Sequence, residues 1–126
     1  MVAVDTNVLV RLLTRDDAQQ AARADRFIEQ GAWVSVLVIA EAARVLDTSY
    51  KQSDAEIVAA VEMLLAHQDL VLQDSDAVAA ALELYKSRPA LGFSDCLMLH
   101  LARKAGHQPL GTFDRALGRV EGAQKL

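Results

Sequence analysis

Four carboxylates have settings that favour a shared metal site. Asp5 and Asp114 each follow an apolar run that predicts a short strand, so each is expected at a strand's carboxyl end. Glu41 lies within the mostly apolar "VSVLVIAEAARVL", and Asp95 begins the apolar run of "GFSDCLMLHLA". Buried carboxylates need a cation or good hydrogen bonds, and no lysine or arginine is evidently paired with each of these. Oxygen ligands select hard cations such as Mg²⁺ or Mn²⁺, which activate water and clamp phosphate oxygens.

Asp95 also has a simpler interpretation as a helix-start residue. Ser-Asp occurs at Ser53-Asp54 and Ser75-Asp76 as well, ahead of helical patterns. Serine is a preferred N-cap and a carboxylate in the first turn complements the helix dipole, so Ser94 is expected to cap its helix. Spacing alone does not rank Asp95 above Asp54, Asp74 or Asp76. The apolar neighbours of Asp95 do separate it, because they imply burial.

The elements that must position these acids alternate between strands and helices, which favours an α/β fold with a parallel sheet. The predicted strands are Val2 to Val4, Ala32 to Val36, Leu70 to Gln73 and Pro109 to Phe113, with a short final strand near Ala123 to Leu126. The predicted helices begin at Asn7, Ala18, Val38, Asp54, Asp76 and Asp95, with a capping box at Ser53 and Glu56 and a C-cap at Gly106.

Ligands of such sheets bind outside the carboxyl ends of the strands. A helix of about 12 residues is about 18 Å long, so the helix that begins at Asp95 should start near that edge. If the first and fourth strands are neighbours, Asp5, Asp95 and Asp114 converge there.

The bulk composition indicates one soluble globular domain over residues 1–126, but its net charge of −4 does not favour a nucleic-acid binder. Of 17 acidic residues, setting four aside for the site leaves 13 against 13 basic residues. A modest set of phosphate-contacting cations is then available: Arg11, Arg15, Arg44, Lys86, Arg88, Arg115 and Arg119.

Other classes are disfavoured. No apolar run approaches the ~20 residues of a membrane span, and the N-terminus lacks the pattern of a signal peptide. A lone Cys96 excludes an internal disulfide and fits a cytoplasmic protein. The scattered His67, His100 and His107 form no zinc cluster and are expected to be surface or packing residues.

Four stretches in order resemble the motifs of the PIN-domain family. "VAVDTNVLVRLL" resembles the first motif, "VSVLVIAEAARVL" the second, "GFSDCLMLHLARKAG" the third and "PLGTFDRAL" the fourth. The resemblance runs from Val2 to about Leu117. In its short single-domain form the chain is most similar to the virulence-associated protein C (VapC) type toxins of type II toxin–antitoxin pairs.

The resemblance implies a three-layer α/β/α domain whose parallel sheet has four to five strands in the order 3-2-1-4-5. It implies a Mg²⁺- or Mn²⁺-dependent endoribonuclease with Asp5, Glu41, Asp95 and Asp114 as catalytic and metal-binding acids. Asn7 and Thr112 match supporting positions. Thr6 is expected to be a turn residue, and Cys96 a packing substitution.

The mechanism implied by this site uses metal-activated water and leaves 5′-phosphate and 3′-hydroxyl ends. Asp5, Asp95 and Asp114 hold one metal ion or two, and Glu41 binds a metal or orients the water. Arg11, Arg15, Arg44 and Arg115 are the candidate substrate-binding residues.

The implied partners are RNA and a cognate antitoxin that lays its C-terminal segment over the acidic site. The resemblance also implies a homodimer, or a higher toxin–antitoxin assembly, and no membrane.

Three rival interpretations remain. A phosphohydrolase with Asp5 as nucleophile would need a second acid at position 7, which is Asn7. A receiver-like domain would place paired acids before its first acceptor strand, and this chain begins too early for that. The third is a non-catalytic RNA-binding or regulatory module. Within the family, the alternative to a toxin is a PIN-fold nuclease or RNA-binding regulator outside toxin–antitoxin systems. No P-loop, nucleophile elbow or dinucleotide fingerprint is present.

Overall fold

The computed structural model describes residues 1–126, which form two compact units, Met1–Ser75 and Asp76–Leu126. Strands and helices alternate in each unit, so the predicted α/β class is confirmed. None of the helices has the length and apolar character needed to cross a membrane. The assignment of residues 1–126 to a single nuclease domain stays a prediction.

The first unit contains a three-stranded parallel sheet and four helices. Its elements are β1 Val2–Ala3, α1 Thr6–Thr14, α2 Ala18–Ile28, β2 Ala32–Val34, α3 Val36–Thr48, α4 Asp54–Ala66 and β3 Leu70–Leu72. The strands lie in the order β1-β2-β3, with Ala32 opposite both Val2 and Leu70. This confirms the 3-2-1 part of the predicted strand order.

The core of the first unit follows the periodicity of its elements. Ala32 and Val34 of β2 are buried while Trp33 between them is exposed, as alternation along a strand requires. Helix α1 packs against α2 and α3, and the largest fully buried side chains of these three helices are Leu9, Val10, Ile28, Ile39 and Leu46. Helix α1 is therefore held on two sides, which fixes the residues at its N-terminus.

The start of α3 differs from the prediction, which extended β2 to Val36 and began the helix at Val38. The Ser35 hydroxyl accepts a hydrogen bond from the Val38 N–H at 3.1 Å, so Ser35 is the N-cap and the helix begins at Val36. The side-chain oxygen of Gln73 accepts from the Val36 N–H at 3.0 Å. By contrast, the predicted capping box of α4 is confirmed at Ser53 and Glu56.

The second unit contains two helices, two short 3₁₀ turns and a two-stranded parallel sheet. Its elements are α5 Ser75–Ser87, the 3₁₀ turn Pro89–Leu91, α6 Phe93–Ala105, β4 Leu110–Thr112, the 3₁₀ turn Leu117–Arg119 and β5 Ala123–Lys125. Strands β4 and β5 pair in parallel, which confirms the 4-5 part of the predicted order. The 1-4 step that would join the two parts stays a prediction.

The N-terminus of α6 corrects the predicted role of Ser94. The helix begins at Phe93, one residue before Ser94, and its N-cap is Gly92, which makes no side-chain capping bond. Gly92 has a φ of +78°, a backbone conformation that favours glycine. Ser94 and Asp95 therefore both lie inside the first turn. The predicted C-cap at Gly106 is confirmed, with a φ of +84°.

Candidate active site

Asp5 and Asp114 occupy the same kind of turn in the two units. Each comes two residues after the last residue of a strand, β1 or β4. The Asp5 Oδ1 atom accepts from the Val8 N–H at 3.1 Å, and the Asp114 Oδ1 atom accepts from the Leu117 N–H at 2.8 Å. One oxygen of each carboxylate is thus fixed by the backbone three residues on, and the other makes no hydrogen bond within the protein.

Glu41 is linked to the first of these turns through Thr6. The Thr6 hydroxyl donates to the Glu41 Oε2 atom at 3.2 Å. Thr6 is expected from the sequence to be a turn residue. In the structure it is the first residue of α1, and its hydroxyl contacts a candidate catalytic acid as well. The sequence shows a hydroxyl next to Asp5, but it does not show the acceptor of that hydroxyl, because Glu41 lies 35 residues further along the chain.

Two expectations about Glu41 are also corrected. Its side chain is 48 % exposed rather than buried, and a guanidinium nitrogen of Arg44 lies 3.6 Å from its Oε1 atom. Arg44 is one turn further along the exposed side of α3, so the apolar neighbours in sequence face the core while Glu41 faces solvent.

Asp95 and Asp114 form the second pair of acids. Asp95 lies in the first turn of α6 between the buried Phe93 and Cys96, and it is half-buried itself. Burial and the nearby negative charge of Asp114 raise the pKa of Asp95 above its usual value. The predicted burial of Asp95 is therefore confirmed only in part.

Thr112 supports this pair, since its hydroxyl oxygen accepts from the Asp114 N–H at 3.0 Å. Asn7 is exposed and lines a cleft of the first unit together with Asp5. Both residues matched supporting positions in sequence. Cys96 is fully buried, and burial raises the pKa of its thiol to about 11, which fits the expected packing role and an unreactive thiol.

The donor chemistry of these acids fits a hard divalent cation. All four offer carboxylate oxygens, and at Asp95 a nearby cation would offset both the burial and the repulsion from Asp114. Asp5 and Glu41 belong to the first unit and Asp95 and Asp114 to the second, and no group of three or more His, Cys, Asp or Glu side chains is arranged to hold a metal. The common action of all four acids stays a proposal.

Most of the candidate substrate-binding arginines already have partners. Arg15 makes a bidentate pair with Asp25, at 3.2 and 2.6 Å. Arg44 pairs with Glu41, and Arg11 donates to three side chains of the first unit. Arg115 is exposed and has no ion pair within the protein.

Comparison with known proteins identifies the family. The family model for the PIN domain matches residues 2–123. The chain therefore belongs to the PIN-domain family, whose members are nucleases, and the PIN fold predicted from the sequence is confirmed. The chain matches no curated protein sequence.

One similar solved structure is the crystal structure of VapC20 from Mycobacterium tuberculosis, described as a sarcin-ricin loop cleaving toxin. The two chains are 20 % identical, the match covers 98 % of each, and the TM-score is 0.46.

The raised pKa of Asp95 predicts that its charge weakens the metal-free fold at pH 7. The proton binds more tightly to the folded chain, so its stabilising effect is present below the unfolded pKa and lost as pH rises through the folded pKa. Asp95→Asn should raise the melting temperature at pH 7 in excess chelator, with a gain below about 1 kcal/mol because solvent screens a half-buried charge. The gain should shrink as the pH falls through the raised pKa of Asp95, because the wild-type carboxyl then becomes protonated.

The matched control, Asp76→Asn, should shift the melting temperature in the opposite direction. The hydrogen bond from Lys104, at 2.7 Å, lowers the pKa of Asp76, so ionised Asp76 stabilises the folded chain above that pKa. Thermal unfolding followed by circular dichroism across the pH range separates the two cases. Equal shifts for both variants would contradict the assignment of Asp95 as a destabilised acid.

Proposed function

We propose that the chain is a Mg²⁺- or Mn²⁺-dependent endoribonuclease, the toxin of a type II toxin–antitoxin pair. The observation that carries the proposal is the pairing of Asp95 with Asp114 in a chain of the PIN-domain family. Burial and the charge of Asp114 raise the pKa of Asp95, and perturbed carboxylates of this kind cluster at functional sites.

Asp5, Asp95, Asp114 and Glu41 are the residues that would hold the cation. When bound, a divalent ion lowers the pKa of a coordinated water and neutralises charge on the phosphate being cleaved. The free oxygens of Asp5 and Asp114 suit this role, because the other oxygen of each is fixed by a backbone N–H. Little conformational freedom remains to be lost when a ligand binds.

Glu41 orients the attacking water in this proposal. The Thr6 hydroxyl holds the Oε2 atom of Glu41, and the carboxylate retains lone pairs that accept a hydrogen bond from water. Attack of that water on phosphorus, in line with the leaving 3′-oxygen, gives 5′-phosphate and 3′-hydroxyl ends. No 2′-hydroxyl takes part.

The toxin assignment rests on the resemblance of the short chain to VapC-type proteins. A VapC-type toxin would have a cognate antitoxin as its partner and RNA as its substrate. It would form a homodimer or a higher toxin–antitoxin assembly. A basic side chain of the antitoxin among the four carboxylates would offset their charge and block access of RNA. An adjacent reading frame encoding a DNA-binding antitoxin is the observation that tests this assignment.

The nuclease proposal predicts cleavage that depends on both metal and Asp5. The wild-type chain should cleave structured RNAs in Mg²⁺ or Mn²⁺ and lose this activity in excess chelator. Asp5→Asn removes one charged ligand and should lower the cleavage rate by at least about 100-fold, beyond the range seen for residues that only support a ligand. Gel analysis with mapping of fragment ends should find 5′-phosphates.

Asp76→Asn is the control for that experiment, because Asp76 also lies in the first turn of a helix but pairs with Lys104 on the surface. Its cleavage rate should match the wild type. Activity in excess chelator, or equal activity of the Asp5 variant, would refute the nuclease mechanism. Binding of RNA without cleavage would indicate a non-catalytic RNA-binding protein.

Thr6→Val should slow cleavage without unfolding the chain. Valine keeps the shape of threonine but cannot donate to Glu41, and loss of a residue that orients a site ligand typically costs about 10- to 100-fold. Thr6→Ser keeps the hydroxyl and should retain most of the activity. A single-turnover rate for Thr6→Val equal to that of the wild type would show that the hydrogen bond has no role in catalysis.

A further inference from the structure

A cleft between α1 and α2 opens beside Asp5 in the first unit. It has a volume of about 480 Å³, and Asp5 and Asn7 lie at its border. This volume falls within the range of sites that hold small ligands, roughly 300–1,000 Å³. The cleft thus suits a nucleotide-sized group next to one of the candidate catalytic acids.

Two arginines place guanidinium groups in the wall of this cleft. Arg11 and Arg23 both line it, whereas Asp5 is its one acidic residue. Arg23 is exposed and has no ion pair within the protein. Arg11 is paired with Asp16, so Arg23 is the cation of this cleft that is left without an ion pair and would attract an anion.

Arg11 is fixed in position and still has donors to offer. Its Nε donates to Gln20 at 2.6 Å, and one terminal nitrogen donates to Asp16 at 3.3 Å and to the Tyr50 hydroxyl oxygen at 3.0 Å. The Tyr50 hydroxyl in turn donates to Asp16 at 2.7 Å, which closes the network. The second terminal nitrogen makes no hydrogen bond within the protein. A guanidinium held this way can bind a phosphate at little entropic cost.

The remaining wall of the cleft is apolar and carries an aromatic ring. Phe27 of α2 is 45 % exposed, and Val8 and Ala24 line the cleft as well. An exposed ring beside free guanidinium donors is the combination that binds a splayed nucleobase by stacking and its phosphate by charge. A base within a duplex is already stacked and could not use Phe27.

We propose that this cleft binds one unpaired nucleotide of the RNA substrate, next to the site of cleavage. Arg11 and Arg23 contact its phosphate oxygens and Phe27 stacks on its base. Asp16 and Tyr50 are positioning residues for Arg11. Arg15 takes no part, because its guanidinium is paired with Asp25. The inference rests on the proposed nuclease function for the identity of the nucleic acid.

The test measures RNA binding in excess chelator, where no metal-dependent cleavage occurs. The probe is a short mixed-sequence single-stranded oligoribonucleotide with a fluorescent label, and anisotropy gives the affinity of the full chain over a series of salt concentrations. Arg23→Gln removes one phosphate contact and should reduce the slope of log affinity against log salt by about 0.7. Arg11→Gln should do the same.

Phe27→Ala should weaken binding at least about fivefold at every salt concentration, the lower end of the effect of losing a stacked base. Its salt slope should equal that of the wild type, and Phe27→Tyr should restore the affinity. Arg26→Gln is the matched control, because Arg26 is exposed on the same helix but does not line the cleft. It should retain both the affinity and the salt slope.

Tyr50→Phe tests the positioning role, since it keeps the ring and removes the hydroxyl between Arg11 and Asp16. It should weaken RNA binding several-fold and leave the melting temperature unchanged. Arg23→Gln should still weaken RNA binding when it is added to Tyr50→Phe. A Tyr50→Phe chain that binds RNA as the wild type does would limit that network to a structural role and overturn this part of the proposal.

Two results would overturn the subsite itself. One is a wild-type chain with no measurable RNA binding at low salt. The other is that both Arg23→Gln and Phe27→Ala bind RNA with the affinity and the salt slope of the wild type. The occupant of the cleft would then be a protein segment and not RNA. Both Arg23 and Phe27 are exposed, so these variants should fold. If the variants change RNA binding as expected but the wild-type chain does not cleave RNA in Mg²⁺, only the nuclease proposal is refuted.

Discussion

The placement of Asp95 near Asp114 is the constraint on which the proposed site of the second unit depends. The charge of Asp114 adds to burial in raising the pKa of Asp95, so the metal-free chain holds these two groups together at a cost. Several local features keep them there. Gly92 lets α6 begin early enough to put Asp95 in its first turn. Strand β4, Thr112 and the Leu117 N–H fix the position of Asp114. A cation would turn this costly arrangement into a favourable one.

The first unit holds Asp5 with the same local geometry that holds Asp114 in the second unit. Asp5 follows a strand and binds a backbone N–H three residues on, as Asp114 does. Its neighbour Thr6 then reaches across to α3 and orients Glu41. Asp5 and Asp114 are thus each fixed by a bond to the backbone three residues on, which leaves one carboxylate oxygen available. This is the arrangement expected where the ligand, rather than another part of the chain, supplies the compensating charge.

The sequence predicted the elements far better than the contacts between their side chains. The α/β class, the pairings within each sheet, the Ser53 capping box and the Gly106 C-cap all depend on local pattern, and they are confirmed. Two predictions were wrong, the end of β2 and the N-cap of α6. The first depends on a contact with a distant residue and the second on backbone conformation. Gln73 accepts the first N–H of α3 from a distant strand end, and Gly92 replaces Ser94 through its positive φ.

In the candidate site, too, the residue types could be predicted from the sequence and the contacts between side chains could not. The residue types at Asp5, Glu41, Asp95 and Asp114 were visible in the motifs, whereas the Thr6–Glu41 bond joins residues far apart in sequence. The exposure of Glu41 was misjudged because apolar neighbours in sequence do not report the face of a helix on which a residue lies. The pairing of Arg15 with Asp25 was likewise not predictable, because it depends on how α1 and α2 pack. The pairing of Arg44 with Glu41 joins residues three apart on one helix, a spacing that the sequence does show.

The central proposal is that Asp5 and Asp95 are each ligands of a divalent cation. Titration with Mn²⁺ followed by electron paramagnetic resonance measures that cation directly, without RNA or turnover. The wild-type chain should bind a Mn²⁺ ion, and this binding should be lost in Asp5→Asn and in Asp95→Asn, while circular dichroism shows both variants folded. Undiminished Mn²⁺ affinity in either folded variant would contradict it.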